Sequence, residues 1–137
     1  MDHISVQYPI QGNSTDLEWL MLTSGNIGWS RLGDSKRLIR PSFFHEIHCL
    51  RMLNLALSRV SGPYTTIGHS RHCLHYLRSM ALCNADLALE PMAHVGDDVF
   101  TWDAAQASHT CQDWTALYSF MDQNEHIWES HKRPDHA

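Results

Sequence analysis

From residue 43 to about residue 60 apolar side chains return every three or four positions, and no proline or glycine interrupts them before Ser61-Gly62-Pro63. That spacing is the period of a helix, and Pro41-Ser42 is a helix-start signal. A second helix is predicted from about Thr66 or Gly68 to residue 85, ahead of Glu90-Pro91. A third runs from about residue 110 to residue 129, with Cys111, Trp114, Tyr118 and Met121 on one stripe. A shorter helix, 17–23 behind a capping Asp16, carries Trp19, Leu20 and Leu22. The stretches between read as loops: an irregular arm over 1–15, a glycine-punctuated segment with Trp29 and the basic Lys36, Arg37 and Arg40, and residues 91–109. Strand-like alternation is not sustained anywhere. The prediction is a mainly α, small single-domain helical fold over 16–130, with two long central helices, a C-terminal helix, long loops and a frayed tail over 131–137.

Composition narrows this further. A chain of 137 residues has room for one domain, and 43% apolar against 18% charged residues is enough to build a core. Ten Lys+Arg against fifteen Asp+Glu give a net charge of −5, and the basic residues are scattered, so no nucleic-acid footprint is present. No apolar run approaches the ~20 residues that span a bilayer, and the start MDHISVQYPI lacks the basic-then-apolar form of a leader, so the chain as it stands is expected to be soluble. Four cysteines and the sequon Asn13-Ser14-Thr15 are compatible with an oxidising lumen. The anomaly is eleven histidines, beside four Cys, five Trp and six Met.

The two long helices repeat one phrase. His45-Glu46-Ile47-His48-Cys49-Leu50 returns as His69-Ser70-Arg71-His72-Cys73-Leu74, 24 residues later. Residues three and four apart share a helix face, so each copy gathers two imidazoles and a sulfur on one patch. At about 100° per residue, Met52, Leu53 and Leu55 fall on that arc in the first helix and Tyr76, Leu77 and Met80 in the second, so both patches are predicted to face the core. Buried imidazoles without partners cost roughly 1–3 kcal/mol each, which a metal ion held by His45, His48, His69 and His72 would remove. Imidazole suits Cu, Zn, Fe and Ni, and the lack of acids on these faces argues against Mg and Ca; Glu46, about 100° from His45, does not favour a two-His-one-carboxylate site.

Two readings of the cysteines stay open. As thiolates, Cys49 and Cys73 complete a His-His-Cys set on each helix; as a disulfide they clamp the two helices, leaving Cys83 and Cys111 for a second bridge. The plainer alternatives are hydrogen-bonded core histidines without metal, free thiols at Cys83 and Cys111, and ordinary core roles for Trp19, Trp114, Tyr118 and Met121. His109 is a candidate catalytic acid/base or extra ligand, or else a solvated residue, and His3, His75, His126, His131 and His136 read as surface.

The phrases FFHEIHCLRMLN and HSRHCLHYLRSMALCNADLALEP resemble the doubled H-x-x-H-C motif of the UstYa-like proteins of fungal secondary-metabolite clusters. Asp16 to Trp19 resembles the family's lead into a Trp, and His109-Thr110-Cys111-Gln112-Asp113-Trp114 its C-terminal H-x-C-x-D block, so the likeness covers roughly residues 16–118. The resemblance implies oxidative tailoring of a small-molecule or peptide natural product by macrocyclisation, hydroxylation, dehydrogenation or halogenation, with copper as the metal and O2 as co-substrate. The family's essential positions fall on His45, His48, Cys49, His69, His72 and Cys73. Most members begin with a cytoplasmic tail and a membrane helix that place the domain in the secretory lumen, and neither is expected within residues 1–137. Trp29, Tyr64, Trp102 and Trp114 are candidates to orient the substrate. Two other functions fit the same residues: a metal-free cyclase or dehydratase using a histidine pair as acid and base, and a non-catalytic partner subunit of a related oxidase. A homodimer or hetero-oligomer is compatible with either.

Overall fold

The computed structural model describes residues 8–11, 15–23, 27–89, 92–96, 99–102 and 108–132. In chain order they form α1 (Thr15–Met21), the hairpin strands β1 (Ser30–Leu32) and β2 (Arg37–Ile39), α2 (Ser42–Leu57), α3 (Ile67–Cys83), a second hairpin of β3 (Met92–Gly96) and β4 (Val99–Trp102), and α4 (Trp114–Lys132). Helices dominate, as the sequence predicts, but the two antiparallel hairpins correct the loop assignment of both segments. Their strands are 3 to 5 residues long, too short for alternation to register as a pattern. In the first, Ser30 pairs with Ile39 and Leu32 with Arg37, and the turn closes with the Lys36 amide donating to the Gly33 carbonyl at 3.0 Å. Gly33 adopts φ +71° there, open to glycine without strain.

Pro41 sets the entry to α2: its fixed φ of −56° turns the chain, and its carbonyl accepts from the Phe44 and His45 amides at 3.1 and 3.4 Å. α3 starts where the Thr66 hydroxyl accepts from the His69 amide at 3.2 Å. Along their shared face Cys49, Met52 and Cys73 are buried, with Leu53, Leu55, Tyr76 and Leu77 packed around them. α4 begins at Trp114, four residues later than expected, because Asp113 caps it by accepting from the Thr115 amide at 3.0 Å. It runs on through His131 and Lys132, so those two residues are helical instead of frayed.

α4 fixes the start of α2 and the first hairpin. Buried Phe44 meets Tyr118 edge-to-face at 5.2 Å between ring centroids, Trp114 also meets Tyr118 edge-to-face at 5.5 Å, and the Tyr118 hydroxyl donates to the Leu22 carbonyl. The Asn124 amide closes a two-way clamp on β1, accepting from the Arg31 amide and donating to the Arg31 carbonyl, both at 2.8 Å. Arg31 also lies 4.1 Å over the Trp128 ring. Asn124→Ala removes both bonds and leaves two backbone groups unpaired, so a loss of about 1–2 kcal/mol is expected, read as a lower urea midpoint at unchanged slope. α1 is held by Asp16, which pairs with Arg51 of α2 at 2.7 Å instead of capping its own helix.

Candidate metal centre

The repeated phrase becomes a site because the two helices run antiparallel. His45 then faces His72, with ring centroids 5.6 Å apart, and His48 faces His69 at 5.7 Å. Within each helix the pairs are 6.2 Å (His45 and His48) and 6.1 Å (His69 and His72) apart. The near-equal edges follow from the repeat: the two copies face each other across an approximate two-fold axis. Four imidazoles thus stand at the corners of a quadrilateral, with His48 and His72 on one diagonal. Metal–nitrogen bonds of about 2.0–2.1 Å around a single ion would bring the rings to edges of roughly 5 Å, a small contraction.

The imidazoles are less buried than the sequence predicts. Cys49 and Cys73 sit fully in the core, His45, His48 and His69 are half-buried, and His72 is exposed, so the ring of imidazoles lies at the open edge of the α2–α3 interface. Chain packing orients two of them. His69 Nδ1 lies 2.5 Å from the Tyr64 carbonyl, which accepts only, so Nδ1 carries the hydrogen and Nε2 keeps its lone pair. Such a carbonyl partner is the usual outer support of a metal-binding histidine. His45 is backed by the Tyr76 ring at 4.0 Å, and the Tyr76 hydroxyl reaches the Ser42 carbonyl at 3.5 Å.

Burial, with Arg40 and neighbouring imidazoles adding to it, lowers the proton affinity of His45 and brings His48 down to about 4. Both rings are neutral at pH 7 and can donate a lone pair. Between about 6.5 and about 4 an unfolded His48 is protonated while the folded one is not, so acid favours unfolding in that window. A loss of about 1–2 kcal/mol is expected for the half-exposed ring between pH 7 and pH 4.5. Urea midpoints of chelator-treated chain at the two pH values check it, and His48→Gln should shrink the difference.

All four cysteines are free thiols. Cys49 and Cys73 are hydrogen-bonded neighbours, and burial together with that bond pushes Cys49 up to about 12, so it holds its proton at neutral pH. Between α2 and α3 the two sulfurs therefore stand as a thiol pair. Cys83 and Cys111 are exposed free thiols in this structure, the second of the two readings left open for them. One ligand atom each from His45, Cys49 and His72 lie within 4.8 Å of one another, so Cys49 is also placed to join a donor set if it loses its proton.

Elsewhere the candidates separate. His109 Nδ1 pairs with Asp86 at 2.5 Å, an exposed carboxylate–imidazole couple between the end of α3 and the segment before α4. Trp29 lines a cavity beside His45, Tyr64 lies 6.0 Å from His69, and Trp114 belongs to the Tyr118 cluster. His75 and His126 are exposed; His3, His136 and the side chain of Trp102 lie outside the described residues. A larger cavity of about 370 Å³ sits at the other end of α2, lined by Ile10, Asn54 and Ser58, away from the imidazoles. Arg40 and Tyr76 stand beside the imidazoles although the helical pattern marks the first only as part of a basic stretch and the second as core. Their signal is the helix start: Arg40 precedes Pro41 by one residue, and Tyr76 follows His72 by one helical turn.

Residues 30–124 match the family model described as mycotoxin biosynthesis protein UstYa, and that span contains both copies of the motif. The chain belongs to the UstYa family. Proteins similar to the chain include the UstYa family oxidase phomYd of Diaporthe leptostromiformis, 32% identical over 56% of this chain and 27% of phomYd, and the hydroxylase cctR of Talaromyces islandicus, 31% identical over 59% of this chain and 31% of cctR. The UstYa family oxidase VicYc of Bipolaris victoriae is 27% identical over 61% of this chain and 87% of VicYc. The chain aligns with about a third or less of the length of phomYd and cctR. No solved structure matches it. Among the described residues no helix of this UstYa domain is long and apolar enough to cross a membrane.

Proposed function

We propose that this chain is the ion-binding catalytic part of a tailoring oxidase of fungal secondary metabolism, with copper held among His45, His48, His69 and His72. The observation that carries the reading is the closed ring of four imidazoles, with edges of 5.6 to 6.2 Å, built from two helices. Neutral nitrogen donors without an acid among them favour copper or zinc over magnesium or calcium. Relatives named as oxidases and a hydroxylase support the reaction class. A bound copper ion would supply the one-electron chemistry with O2 that no side chain here provides.

The chain's own residues do the rest. The Tyr64 carbonyl fixes the tautomer of His69, and Tyr76 holds the plane of His45. The core beneath, with Cys49 and Cys73 at its top, keeps water from one side of the ring. The open side, where His72 is exposed, admits a natural-product or peptide substrate. Deleting the gene in the organism that makes it is expected to accumulate a precursor that differs from the final metabolite by a pair of hydrogens, an oxygen or a halogen. Restoring the natural chain should recover the product; restoring it with His48→Ala and His72→Ala should not. An unchanged metabolite profile, or recovery by the double variant, contradicts the reading.

A further inference from the structure

Next to the imidazoles, Trp29, Arg40, Ser42, His45 and Tyr76 line a cavity of about 250 Å³. Arg40 is held at its wall, its guanidinium 5.4 Å over the Trp29 ring and its Nη2 donating to the Ile27 carbonyl at 3.0 Å. The Arg40 Nε is buried and has no hydrogen-bond partner. Neither of the ion pairs found among the described residues, Arg51 with Asp16 and His109 with Asp86, involves the Arg40 guanidinium. A partly buried guanidinium with an unused donor is costly on its own, and an anion in the cavity would offset that cost through charge-assisted hydrogen bonds. Ser42, the first residue of α2, places the positive end of that helix at the same wall.

We infer that this cavity binds a carboxylate of the substrate through Arg40, which turns the rest of the molecule toward His45. A single guanidinium balances one negative charge and its planar fork matches a carboxylate, whereas a phosphate dianion would call for more donors than this wall offers. The Trp29 and Tyr76 rings supply flat apolar walls for the carbon skeleton behind the carboxylate. The orienting role rests on the oxidase reading; the binding itself does not.

The test uses chelator-treated full chain and two probes that share one skeleton and differ only at the carboxyl group, N-acetylphenylalanine and its amide. Calorimetry is expected to show the acid binding at least about tenfold tighter than the amide, as loss of a charged hydrogen bond implies. The indole N–H resonance of Trp29 should move with the acid. In Arg40→Gln the two probes should bind alike, with Arg40→Lys keeping part of the preference. Because Arg40 also braces the Ile27 carbonyl, the comparison of probes on the natural chain decides the matter even where the glutamine variant fails to fold. Equal affinity for the two probes, binding of neither, or an acid preference that survives Arg40→Gln overturns the inference. Copper uptake measured on the same preparation separates the two ideas: acid preference without copper binding leaves the cavity assignment standing and removes the oxidase reading, and copper binding without acid preference does the reverse.

Discussion

Alanine at both His48 and His72 is expected to remove tight copper binding while leaving the helices intact. The two residues occupy one diagonal of the imidazole ring, so the double variant leaves only the opposed His45 and His69. Changes in the outer support of metal ligands cost about 10–100-fold in affinity, so loss of a ligand should cost at least about 100-fold for each single variant and more for the pair. His48 is half-buried and His72 exposed, so truncation opens no core cavity, and helical circular dichroism should be unchanged. The single variants carry further information. His45 and His72 belong both to the ring of four and to the tighter group with Cys49, whereas His48 and His69 belong to the ring alone. Competition titration against a chelator should find His69→Ala as damaging as His72→Ala if the ring is the site; a large effect of Cys49→Ser with a small effect of His69→Ala would move the ion to the His-Cys-His group.

Gly28→Ala is expected to be the most destabilising single methyl that the chain can receive near the site. Gly28 is buried at φ +78°, where an L side chain is strained, and a Cβ there would run into the Cβ of Phe44 and stand 2.8 Å from its Cγ. Those Phe44 atoms are fixed by the first turn of α2 and by the Tyr118 ring, so they cannot swing aside as a flexible side-chain tip would. Left-handed strain and overpacking together imply a loss of about 2–4 kcal/mol, measurable by urea denaturation. Phe44 precedes His45, so copper affinity should fall with stability. A cost below about 1 kcal/mol would mean that the loop carrying Trp29 does not press on α2 as described.

The helix pair and its donors were legible in the chain because H-x-x-H-C spacing places three donors on one face of any helix, and Pro41 and Ser61-Gly62-Pro63 mark where the first helix begins and ends. Their meeting across the interface follows from the antiparallel turn at 58–66, which sets His45 against His72 and His48 against His69. Depth was not legible. A count of 100° per residue gives direction around a helix and says nothing about what covers it; α4 packs on the start of α2 and on β1, so the imidazoles stay at an open edge. The hairpins escaped notice because strands of 3 to 5 residues are stabilised by backbone pairing and turn geometry more than by alternation. Arg40 escaped notice because its partners, the Trp29 ring and the Ile27 carbonyl, come from a loop that the helical period does not reach.

X-ray absorption of the copper-loaded chain tests the central claim most directly, since it counts the atoms bound to the ion. A ring of four imidazoles predicts about one copper per chain, a nitrogen first shell and the multiple scattering of several imidazole rings. A shell with no more than one imidazole per ion, or one made chiefly of sulfur, would contradict it.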